Sequence, residues 1–202
     1  MSRIILRGGV EVENPLELAL EFLAAYSGHE VHDSLGTASF DESDLRLANR
    51  GGARISAAEI AAILERRGEI ERALRTIPPD ASLAEGTSSI PWTPLTRLFD
   101  AFADIRGVGF SKMTKALHRK RPALIPMLDS VVQAYLTGDD PGTRSSATFG
   151  DRATSLVRSY KQDLDRNRAV LRALQQELAS RDYRLTEVRI LDVVIWSVSA
   201  AT

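Results

Sequence analysis

The sequence predicts an all-α fold in a single domain, on three observations. Apolar residues recur at helical spacing along most of the chain, and cap or proline signals open the periodic stretches. Strand-like alternation is confined to Ile4 to Leu6. Asn14-Pro15 opens a first helix carrying Leu16, Leu20 and Leu23 on one face. Ser27 to Phe40 is polar and turn-rich. Ser43 then caps a short helix through Leu45 and Leu47, which ends at Gly51-Gly52. Ser56 and Glu59 have capping-box spacing ahead of Ile60, Ile63 and Leu64. A helix from Glu69 to Thr76 stops at Pro78-Pro79, and Asp80 to Ile90 reads as a loop. Thr93-Pro94 opens the next helix, whose stripe of Leu95, Leu98, Phe99 and Phe102 runs up to Asp104. Beyond residue 128 the pattern predicts helices over Ser130 to Leu136, Arg152 to Leu164, Val170 to Leu178 and Glu187 to Ser199, the last capped by Thr186. Gly138 to Thr148 is expected to be a surface loop inside the one domain, residues 1–202.

Composition narrows the function classes. With no cysteine, thiolate metal sites, iron–sulfur clusters, disulfides and cysteine nucleophiles are excluded. No cofactor is expected. His29, His32 and His118 are too few and too scattered for a metal site. The N-terminal apolar run is too short for a signal-peptide core, and no run approaches the ~18 residues of a membrane span. A cytoplasmic protein without a membrane partner is the expectation.

Charge is where the sequence speaks most clearly. Residues 105–128, IRGVGFSKMTKALHRKRPALIPML, hold six basic side chains and no acidic one, in a chain of formal charge -1. Three of the four lysines in the chain, Lys112, Lys115 and Lys120, lie here with Arg106, Arg119 and Arg121. Near-neutral net charge therefore hides a cationic segment suited to phosphate. Gly107 and Gly109 flank Val108 just before a helical pattern, and glycine lets a backbone approach another molecule closely. The N–H groups at the start of the following helix, from Phe110 and Ser111 on, are unpaired donors that suit an anion. Lys112, Lys115 and Arg119 share one face of that helix, while Phe110, Met113 and Leu117 form a separate apolar face.

Ile105-x-Gly107-Val108-Gly109 followed by an amphipathic helix resembles a helix-hairpin-helix DNA-binding element, spanning about 94–120. Ile125-Pro126-Met127-Leu128-Asp129-Ser130-Val131-Val132 is similar to the segment that carries the catalytic aspartate of helix-hairpin-helix DNA glycosylases. The resemblance covers about 94–136 and implies a glycosylase-like all-α fold. It further implies DNA as partner, backbone contacts from Gly107, Val108, Gly109, Ser111, Lys112, Lys115, Arg119, Lys120 and Arg121, and Asp129 as catalytic residue. The helix before the turn holds no lysine, so any base removal would be monofunctional hydrolysis and not lysine-imine chemistry. The whole chain also resembles an uncharacterised family of bacterial proteins, through GVG…K…L…KRP.LIP..D and Leu191-Asp192-Val193 followed by Trp196.

Other residues carry plainer readings. Asp129 is by itself a good N-cap for the helix from Ser130. Asp41, Glu42 and Asp44 are first-turn acids that favour the helix dipole. Arg50 and Arg54, flanking Gly51-Gly52, offer a second phosphate contact or are ordinary loop arginines. Trp92 and Trp196 read as packing residues, with Trp92 a lesser candidate for base stacking. Arg189 and Asp192 read as an intrahelical pair. Three functional classes follow, in order: a DNA-binding hairpin protein with a place in DNA repair, an active monofunctional DNA glycosylase using Asp129, and an all-α protein that binds an acidic partner or a phosphorylated ligand.

Overall fold

The computed structural model describes residues 3–26, 37–138 and 147–200, and over these the chain is mostly helical. Asn14 starts α1 (Pro15–Tyr26), its carbonyl accepting the Leu18 N–H. α2 (Glu42–Arg50) is capped by Asp41, not by Ser43. The extended backbone of Asp41 brings its carboxylate to the Ser43 N–H, and Asp44 returns the favour to the Asp41 N–H at 2.9 Å. α3 (Ala57–Glu65) has the Ser56–Glu59 capping box that its spacing predicts. α4 (Arg67–Arg75) follows after a single residue, so it begins earlier than Glu69.

α5 (Trp92–Asp100) starts ahead of Thr93-Pro94, which places Pro94 in the first turn, where its missing N–H costs nothing. It ends at Asp100, and Phe102 enters the core from the connection that leads to α6 (Phe110–His118). Asp129 caps α7 (Ser130–Thr137) by accepting the Val132 N–H at 3.0 Å.

One helix, α8 (Phe149–Ala179), stands where the sequence predicts two. Asn167, in the polar stretch between the two predicted helices, is buried and bonded, so it does not break the helix. Asn167 grips Ile5 at both its N–H and its carbonyl, at 2.8 and 2.9 Å. That grip holds β1 (Ile4–Ile5), whose antiparallel partner β2 (Glu11–Val12) gave no strand signal of its own. α9 (Glu187–Ala200) closes the chain, with the Thr186 hydroxyl accepting the Arg189 N–H.

α8 is the spine of the molecule: α5, α9, α7, α1 and β1 all pack on it. α5 comes so close that a Cβ at Gly150 would strike the Thr96 carbonyl and Asp100. α2 packs on α6, and α3 lies between α2 and α4. His29, His32 and residues 139–146 of the expected 138–148 loop lie outside the described residues. Among the described residues, no helix is long and apolar enough to cross a membrane, and no group of three or more His, Asp or Glu is placed to hold a metal.

Candidate anion-binding face

The cationic segment divides into a surface part and an interior part. Val108 is buried and ties the turn back through its N–H to the Ile105 carbonyl. That leaves Arg106, Gly107 and Gly109 exposed on either side. Gly107 has φ +83, and a Cβ there would collide with Glu59 Oε1, so glycine is required twice over. Gly109 is extended and N-caps α6 with its carbonyl, and no side chain caps the first-turn N–H groups. Ser111 and Arg119 are half-buried. On the inner face of α6, Met113 and Leu117 of the predicted apolar stripe are fully buried, with Ala116 beside them, while Phe110 is half-buried.

Lys120 and Arg121 face inward, which corrects their reading as phosphate contacts. α6 ends at His118, and the next turn drives the chain into the interior. Lys120 Nζ pairs with Asp44 at 2.6 Å, both side chains 3% exposed. Arg121 donates to the carbonyls of Leu74, Ile77, Thr37 and Lys120. Both charges can be buried because each meets a fixed counterpart: a carboxylate in one case, the carbonyl end of α4 in the other. Lys112 is engaged as well, its Nζ 2.7 and 2.8 Å from the two oxygens of Glu59, but this pair lies near the surface.

Lys115 is the centre of a cluster drawn from four elements. Its ammonium is half-buried and lies 3.4 Å from the Gly52 carbonyl, within electrostatic reach of Asp129, Arg189 and Arg54. Burial first, then Arg189 and Arg54, pull its pKa below the usual lysine value, while Asp129 pulls it back. Arg54 is exposed and held at φ +55, an uncommon conformation for a residue with a Cβ. The Asn49 amide enforces it by bonding both the N–H and the carbonyl of Ile55, at 2.6 and 2.8 Å. Arg189, on α9, stacks over the Phe22 ring and reaches the Met127 sulfur.

Asp129 sits on a short segment fixed from three sides. Thr114 accepts the Leu128 N–H, and the His118 ring shares a 2.6 Å hydrogen bond with the Ile125 carbonyl. Gln133 donates to the Leu128 carbonyl, and Asp192 Oδ2 accepts the Met127 N–H at 3.1 Å. Asp192 is 2% exposed, and its other oxygen, Oδ1, has no hydrogen-bond partner. Burial pushes its pKa up to about 7, against Arg189, the Met127 N–H and the Tyr160 hydroxyl, with Asp129 adding to the rise. The sequence singled out Lys112, Lys115, Arg54 and Asp129 but not Glu59, Asn49 or Asp192 as the residues that hold this face in place. The capping box at Ser56–Glu59 was visible; that its carboxylate also reaches Lys112 was not.

The two tryptophans are packing residues. Trp196 meets Phe22 edge to face at 5.5 Å, and Trp92 donates to the Thr87 carbonyl beneath the Arg158 guanidinium.

A family model of unknown function, DUF6308, matches residues 19–199, and the chain belongs to that family. No curated protein and no solved structure matches the chain.

Proposed function

We propose that this protein binds DNA through the phosphate backbone, using the face that joins the 50–54 loop, the 107–109 turn and the outer side of α6. The observation that carries this reading is the half-buried Lys115, 3.4 Å from the Gly52 carbonyl, with Arg54 and Arg189 from two other elements within its electrostatic reach. Three cations against the single Asp129 carboxylate leave the cluster with a positive surplus, which an added anion relieves. The turn beside them exposes Arg106, Gly107 and Gly109, and its resemblance to a DNA-binding hairpin points to a backbone phosphate as the anion. Binding of this kind positions a duplex without reading its bases. The test is anisotropy on duplexes of unrelated sequence across a salt series. Arg54→Ala/Lys115→Ala weakens all of them alike and makes the log–log salt slope shallower by about 2 units, since each phosphate contact contributes about 0.9. Unchanged affinity and slope would remove the reading.

A second reading, hydrolysis of an N-glycosidic bond, is favoured by one observation: the rigid seating of Asp129 beside Lys115 on this face. Asparagine caps helices about as well as aspartate, so Asp129→Asn keeps the fold. It abolishes base release from modified DNA if Asp129 stabilises a sugar cation. Full release by the variant would leave Asp129 as a cap alone.

A further inference from the structure

Glu59 belongs to α3, yet its carboxylate lies against the turn that precedes α6. A Cβ on Gly107 would overlap Oε1, and Lys112 Nζ contacts both oxygens at 2.7 and 2.8 Å. The side chains are largely covered, 23% exposed for Lys112 and 13% for Glu59. Glu59 also accepts the Ser56 N–H at 2.8 Å, so it is held from its own helix as well as from α6. An anion is therefore already seated over the 107–109 turn, and it comes from the chain itself. The Lys112 hydrogen bond, ahead of other effects, keeps this carboxyl below its usual pKa.

We propose that the Glu59 carboxylate occupies the place of one backbone phosphate, so that DNA engages the turn by exchange, with Lys112 moving from Glu59 to the phosphodiester. This rests on the DNA-binding reading given above and adds an internal competitor to it. Exchange makes the contact weaker than a lysine of this position would give alone, because one ion pair breaks as another forms. It also lowers the number of counterions released, because Lys112 starts out neutralised by protein and not by solvent ions. Non-specific affinity is thereby held down at the one point where the turn touches DNA, while Lys115 and Arg54 keep their full effect.

Glu59→Gln isolates the charge. Glutamine at the third helical position preserves the capping box with Ser56 and has nearly the same shape. Duplex affinity, measured by anisotropy at several salt concentrations, is expected to tighten roughly two- to fivefold, the worth of one ion pair of this kind. The salt slope is expected to steepen by about 0.9. In Glu59→Gln/Lys112→Gln the gain disappears, because Lys112 is the group released. Lys112→Gln alone is expected to weaken binding, leaving an unpaired carboxylate facing the phosphate. That variant keeps the test decisive even if Glu59→Gln folds poorly. Wild-type binding with no change in Glu59→Gln overturns the exchange and leaves the DNA-binding reading intact. So does a gain that survives loss of Lys112, or a Lys112→Gln variant that binds as tightly as wild type. If neither wild type nor Glu59→Gln binds DNA at any salt, both the reading and the exchange fall.

Discussion

At the scale of single residues, Asp192 is the group whose chemistry depends most on its surroundings. Its carboxyl is enclosed between α9, Tyr160 and the 125–129 segment, and burial raises its pKa to about 7. An aspartate in the unfolded chain titrates at about 3.9. Between those values the folded state binds the proton more tightly than the unfolded state does. The stabilisation from protonated Asp192 is therefore complete below about pH 4 and is lost as pH rises through about 7. Asp192→Asn keeps an oxygen for the Met127 N–H and does not ionise. Denaturant unfolding at pH 5 and pH 8 is expected to show wild type losing up to a few kcal/mol relative to the variant over that interval. Parallel behaviour of the two proteins would mean that Asp192 is ionised throughout. Arg54 shows the other side of residue-scale control: its left-handed backbone is imposed by the Asn49 amide, which fixes an exposed cation where an ordinary loop would let it wander.

At the scale of elements, the end of α6 decides which cations are structural. Two residues after His118 the chain delivers Lys120 to the start of α2, and the next residue delivers Arg121 to the end of α4. Each acts as a bolt between helices that are remote in sequence. Lys120→Met strands the buried Asp44 carboxylate, and breaking a pair of this kind costs about 3–5 kcal/mol. Adding Asp44→Asn to that variant recovers part of the loss, because the amide still accepts the Asp41 N–H without carrying a charge. Thermal or denaturant melts of the single and double variants measure the effect. The salt slope for DNA is expected to stay unchanged in whatever protein remains folded, since neither side chain reaches the surface. A shallower slope in Lys120→Met would return Lys120 to the DNA face. Lys161 does comparable work on α8, where its ammonium takes the carbonyls of Leu83 and Glu85 and fixes the stretch before α5.

At the scale of the whole molecule, α8 organises the packing, and the charged groups are shared between interior and surface. Most helices were legible in the sequence because helical periodicity and capping boxes are local, carried by residues three or four apart. Ser56–Glu59 and Asp129 with its helix are cases in point, and so is the buried stripe of Met113 and Leu117. The continuity of α8 was not legible, because the polar stretch around Asn167 looks like an interruption until Ile5 is seen to bond it. The fate of the basic segment was hidden for the same reason. Sequence alone established that six cations and no acid lie in residues 105–128, and that an amphipathic helix carries several of them. Which of these cations are available was decided only by tertiary structure. Lys112 finds Glu59 from 53 residues away, and Arg121 finds the Leu74 carbonyl from 47. Charge is a property of a residue, but whether that charge is balanced depends on what the fold places within a few ångströms of it.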